Sequence, residues 1–99
     1  MKATSKVMYA LFLHTRRKID THQREEYGWW HNKSYTHQGD LFPLVDREFC
    51  DNTYRFKTRK NAEKAMYRAI EMYGYVLAVS LHAVYDDGLT TEEIDYVES

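Results

Sequence analysis

One cysteine, one proline and four glycines are all that 99 residues contain of the types that most constrain a backbone or a site. Cys50 alone can neither close an intrachain disulfide nor assemble a thiolate metal centre, which fits a reducing compartment. The four glycines are scattered along the chain, so no glycine-rich phosphate loop exists. The longest apolar run, Val7–Leu13, is far too short to span a bilayer. Met1–Lys6 ahead of it lacks a small-residue cleavage site before the chain turns basic, so a cytoplasmic protein without membrane association is expected. HExxH and paired Cys/His spacings are missing, as are RNP, KH and helix-turn-helix signatures. No metal ion and no other cofactor is therefore expected.

What is present describes a folded chain: 43% hydrophobic, 15% aromatic and 29% charged residues. The length suits one domain with one core. A net charge of −1 hides an asymmetry, because all 14 Lys and Arg lie before Asp86, while Asp86–Ser99 carries six acids and no cation. The expected division is a compact domain over residues 1–85 followed by an acidic tail or short helix over residues 86–99. Such a tail either solubilises the chain or folds back on the basic body, where it would compete with an anionic ligand.

Val7–Leu13 is continuously apolar and reads as a buried strand. Thr53–Thr58 alternates, with Tyr54 and Phe56 on one side, and reads as a half-exposed strand. A helix follows, capped by Thr58, with Ala62, Ala65, Met66, Ala69, Ile70 and Tyr73 at the spacing of one face; Gly74 is expected to end it in the left-handed conformation. Tyr75–Tyr85 alternates as the longest strand, its larger face toward the helix. Thr90 and Glu93 have capping-box spacing, which predicts a short final helix. Ile19–Asp51 is poorly patterned, with one strand expected near Trp29–Tyr35 that puts Trp29 and Trp30 on opposite faces. Together these predict an α+β (small α/β) fold. It has a three- or four-stranded mixed sheet in β-x-β-α-β order, with one main helix packed on one face and a short acidic C-terminal helix or tail. The open sheet face could serve a homodimer.

The helix poses a question, because it begins with Lys57, Arg59 and Lys60. A helix N-terminus carries roughly half a positive charge, so each exposed cation there is misplaced by about 0.3–1 kcal/mol. Backbone N–H groups at that end, joined by Thr58, Arg59 and Lys60, offer a phosphate site that would offset the misplacement. Further along, Lys60, Lys64 and Arg68 recur every four residues, a like-charge stripe that Glu63 and Glu71 only partly dilute. Arg55 and Lys57 leave the neighbouring strand away from the core. A second basic cluster, Arg16, Arg17 and Lys18, ends the first strand. Were that strand parallel to Thr53–Thr58, the two clusters would emerge at one sheet edge.

Cations over more than one phosphate-sized site fit a polyanion, and exposed aromatics beside them fit single strands, whose bases stack whatever their identity. Tyr67 and Trp30 are the stacking candidates, whereas Tyr54, Tyr73 and Tyr75 fall on inward faces. Ala and Met dominate the helix, unlike a recognition helix for duplex DNA. The leading expectation is a small non-enzymatic nucleic-acid-binding protein, RNA before duplex DNA, acting as a regulator or antagonist. A second reading is a protein-binding inhibitor or adaptor that uses Trp29, Trp30, Phe42 and Leu44 or the acidic tail. A third is a metal-independent ribonuclease using His14 and His82, which share the smaller strand face. Cys50 reads as a small buried hydrophobe.

Overall fold

A computed structural model describes residues 5–17 and 27–99. Five strands and one helix follow in the order β1 (Lys6–His14), β2 (Trp29–His37), β3 (Asp40–Asp46), α1 (Arg59–Met72), β4 (Ala78–Tyr85) and β5 (Thr91–Glu98). The strands form one sheet in the order β3-β2-β1-β4-β5, and every neighbouring pair is antiparallel. The α+β class is as expected. The sheet has five strands instead of three or four, and it is antiparallel instead of mixed.

The apolar run makes β1 the central strand. Leu11 and Leu13 face α1 through a core that includes Trp30, Val79, Leu81, Ala62, Ala65, Met66 and Ala69. Alanine at three of the helix's inward positions lets its backbone approach the sheet, and Met66 fills the remaining space with no exposed surface. Ala10, Trp29 and Val84 pack on the other face with Met8, Phe12 and Phe49. Trp29 and Trp30 thus fall on opposite sheet faces, as their adjacency in a strand requires.

Thr53–Thr58 is not a strand of the sheet. Phe56 makes an isolated antiparallel bridge to Tyr9, with Phe56 N–H donating to the Tyr9 carbonyl at 2.7 Å and Tyr9 N–H returning at 2.9 Å. Tyr54 N–H donates to the Trp30 carbonyl at 3.0 Å. The segment inserts between β1 and β2, because β2 pairs with β1 only at Phe12 and Trp29 before a bulge at Asn32 (φ 60°) turns it away. This segment and β4 are both antiparallel to β1 and so parallel to each other, with β1 between them. The expected βαβ unit is split around the central strand.

β2 and β3 form a hairpin through Gln38 and Gly39, whose φ values of 51° and 84° match a type I′ turn. Gly28 is held where a Cβ would lie 2.1 Å from the Asp46 carbonyl oxygen, so only glycine fits between β2 and the end of β3. The helix stops at Tyr73, an extended C-cap (φ −115°, ψ 120°), and Gly74 does not adopt the left-handed conformation expected of it. β4 begins at Ala78 because residues 74–77 form the turn out of the helix.

The acidic C-terminal segment is a strand, which corrects the expected helix or tail. Asp87 makes the connecting turn, its carboxylate accepting from Leu89 N–H (2.9 Å), Thr90 N–H (2.8 Å) and the Thr90 hydroxyl (2.6 Å). Thr90 is thereby consumed by the turn and cannot cap a helix. These bonds hold the Asp87 carboxyl below its usual range, the Thr90 hydroxyl contributing most. β5 then pairs with β4 from Thr91 opposite Val84 to Glu98 opposite Ala78. Among the described residues no helix is long and apolar enough to cross a membrane.

Candidate nucleic-acid interface

The helix starts as its sequence dictates. Thr58 is extended (φ −128°, ψ 148°) and its side-chain oxygen accepts from Asn61 N–H at 3.2 Å, satisfying one of the orphan donors of the first turn. With Ala62, Ala65, Met66 and Ala69 turned to the sheet, Arg59, Lys60, Lys64, Tyr67 and Arg68 stand on the exposed face, continued by Lys57. The first turn contains no acid. Arg59 Nε lies 3.3 Å from Glu63 Oε2, an exposed i,i+4 pair. Arg68 donates to Asn32 Oδ1 at 2.5 Å and lies 5.4 Å from the Trp30 ring centre, which ties the helix to β2. Lys57, Lys60 and Lys64 have no ion-pair partner among the described residues.

The other predicted site residues are placed differently. Trp30 is core, 2% exposed, with its indole N–H donating to the Lys33 carbonyl at 3.2 Å, so it cannot stack on a base. Arg55 donates to the carbonyls of Thr53 (2.7 Å) and Cys50 (3.2 Å) and lies over the Phe49 ring at 4.4 Å, where it locks the loop before the helix. Arg17 donates to the Ser99 carbonyl at 3.2 Å and pairs with Glu98 at 3.7 Å. Arg16 is half-buried just beyond β1, and Lys18 lies outside the described residues.

The antiparallel Tyr9–Phe56 bridge also settles the relation between the two basic clusters. The chain leaves Phe56 toward the Lys6 end of β1, whereas Arg16 and Arg17 follow its other end. At ~3.3 Å per strand residue they are separated by roughly 25–30 Å. They do not form one site, contrary to the parallel arrangement considered from sequence.

The open sheet face holds two polar clusters. Ser80 Oγ lies 2.9 Å from both His14 Nε2 and His82 Nε2 and 3.5 Å from the Phe12 carbonyl oxygen, so its single hydrogen goes to one of these three acceptors while it accepts from a ring N–H. His14 (4% exposed) and Ser80 (1%) are buried beside Phe12, Trp29 and Tyr96, so this network lies inside the face, with His82 nearest solvent. On the adjoining strands His31 Nε2 lies 2.6 Å from Asp46 Oδ2, to which the Cys50 thiol also donates at 3.2 Å. The His31 hydrogen bond, then that of Cys50, holds the Asp46 carboxyl below its usual range. Cys50 is accordingly a half-buried donor and not the apolar filler expected. Among the described residues no group of three or more His, Cys, Asp or Glu is arranged to hold a metal ion.

Sequence reasoning missed an aromatic ladder. Tyr35 and Phe42, opposite each other in the hairpin, stack at 5.6 Å and 24°, and Phe42 stacks on Tyr75 at 5.4 Å and 8°. Tyr75 (54% exposed) and Tyr54 (44%) were both expected inside; the turn at residues 74–77 and the insertion beside β1 put them outside. Tyr73 is buried as expected, its hydroxyl hydrogen-bonded to Ser34. Gly39 is a sequence signal for the hairpin that pairs Tyr35 with Phe42, but no local signal places Tyr75 beside them. Comparisons with protein families, curated proteins and solved structures find no match.

Proposed function

We propose that this protein binds single-stranded nucleic acid, RNA in preference to duplex DNA, through the exposed face of α1, and acts by occupying the strand. The observation that carries this reading is the set of Lys57, Lys60 and Lys64, ammonium groups without ion-pair partners among the described residues, at a helix end with no acid in its first turn. Phosphates supply the missing charge, meeting free backbone N–H groups at the helix start and lysines along its length. Tyr67, 57% exposed between Lys64 and Arg68, adds a ring on which a base can stack. The competing adaptor reading rests on Phe42, Leu44 or the acidic segment, since Trp29 and Trp30 are both buried.

The test is a fluorescence-polarisation titration of a labelled mixed-sequence RNA with the wild type and with Lys60→Glu/Lys64→Glu, over a range of salt. Each lost contact to a single strand reduces the slope of log affinity on log salt by about 0.7. The double variant should therefore bind more weakly, with its slope reduced by about 1.4. Equal affinity and equal slope in the two proteins would refute the proposal.

A further inference from the structure

We infer that a cleft at the C-terminal end of α1 takes one unstacked nucleobase of a single strand, a subsite separate from the cationic helix face. The inference rests on the nucleic-acid reading and adds to it the reason single strands are preferred. The cleft, of about 310 Å³, is lined by Thr15, Tyr27, Phe42, Gly74, Tyr75 and Leu77. Its volume lies at the small end of the roughly 300–1,000 Å³ range of ligand sites, room for one flat ring system.

Four features select a base as the occupant. First, Tyr75 is the last ring of a near-parallel ladder, while the core rings meet edge to face, as Phe12 does Trp29 (87°) and Trp30 does Tyr73 (90°). A planar group extends a parallel stack and cannot extend an edge-to-face pair. Second, the outer rings Tyr35 and Tyr75 are 48% and 54% exposed, so the stack stands in water. Third, Thr15 borders the cleft and its hydroxyl has no hydrogen-bond partner among the described residues; the oxygen has almost no accessible surface, so it meets a ligand only after the side chain turns about Cα–Cβ. A base edge, unlike an aliphatic side chain, can then provide that partner. Fourth, Arg16 and Arg17 directly follow Thr15, and the Arg17 ion pair with Glu98 is exposed enough to exchange for a phosphate. A base inside a duplex is stacked on both faces and cannot enter.

The test compares a labelled ten-nucleotide RNA, single-stranded and annealed to its complement, as a ligand of the wild type, Tyr75→Ala and Gly74→Leu. Gly74 lines the cleft and a Cβ there meets no atom within 4 Å, so leucine is accommodated at the cleft wall without straining the fold and narrows the space for a base. Each variant should bind the single strand about tenfold more weakly, within the range measured for loss of one base–aromatic stack. Duplex affinity and the salt slope should not change, because no phosphate contact is removed. Melting temperatures confirm folding, and if Tyr75→Ala does not fold, Gly74→Leu decides alone. Wild-type affinity for the single strand in the folded variants overturns the cleft and leaves the helix-face reading standing. A wild-type protein that binds neither form overturns both.

Discussion

Deleting Gly88–Ser99 should bring the domain close to unfolding, because the acidic segment is part of the sheet. Ile94 and Val97 are half-buried against the main core, and Val97 lies opposite Val79, which is fully buried. Complete burial of such a side chain stabilises by about 1.5–3 kcal/mol, so the two half-buried ones contribute roughly 2 kcal/mol together. Removing β5 also uncovers the side of β4 that carries Val79 and Leu81, at a further cost of about 2–3 kcal/mol on the same scale. The loss of roughly 4–5 kcal/mol stands against a total of about 5–15 kcal/mol for a domain of this size. Urea unfolding followed by circular dichroism reads it directly. With a slope of about 1–3 kcal/mol per molar, the midpoint should fall by about 2 M. Val97→Asp, which places an unpaired carboxylate against Val79, should reproduce much of the loss in a full-length chain. A truncated protein with an unchanged midpoint would show the segment to be the inert tail its composition first implies.

Met66→Ala should cost about 2–5 kcal/mol, since Met66 has no exposed surface and its truncation leaves a cavity under α1, whereas Tyr67→Ala next to it should cost under about 0.5 kcal/mol. Equal melting temperatures for those two variants would contradict the helix orientation. The Asp46 carboxyl titrates lower in the folded chain than in the unfolded one, first because of the His31 hydrogen bond and then because of the Cys50 thiol. Its contribution is therefore full above the unfolded value near 4 and lost as the pH falls through the folded value, so Asp46→Asn should flatten the acid limb of a stability–pH profile below about pH 4. Asp87 and Glu92, also held low, keep their own share of that limb. Lys60→Glu, which removes an unfavourable charge and adds a favourable one, should raise stability by about 0.6–2 kcal/mol while weakening RNA binding, measured by urea unfolding and polarisation on the same preparation.

How much of this was legible follows from which local signals were unambiguous. The helix was, because Thr58 and the alanine spacing agree with each other, and so was β1, where nothing polar interrupts seven residues. β5 was not. Ile94 and Val97 are three apart, a helical spacing, yet both pack on one sheet face because Ile94 is the extra residue of a bulge between Glu93, opposite His82, and Asp95, opposite Leu81. A bulge converts period two into an apparent period of three, and a capping-box match at Thr90 reinforced the error. The split of the βαβ unit was equally hidden, since sequence alone does not say that β1 would take the place between Phe56 and β4. For the site, the exposed helix cations could be read from their spacing. The ladder could not, because Tyr35, Phe42 and Tyr75 come from three segments that only the hairpin and the helix exit bring together.

Under the proposed function, the cations at the start of α1 are accounted for by weighing the folded chain and a bound phosphate together. Glu63 partly neutralises Arg59 and Thr58 satisfies one backbone donor, and among the described residues nothing comparable reaches Lys57 or Lys60. The free protein therefore keeps a charge arrangement that costs stability, at positions where exposure removes any packing reason to keep it. A bound phosphate reverses the sign of the same term, so the energy withheld from folding reappears as affinity. For this reason the two effects of Lys60→Glu belong to one experiment. If stability rises while binding falls, the misplacement is a property of the interface. If stability rises and binding is untouched, the cations are solvated charge, and the nucleic-acid reading loses the observation that carries it.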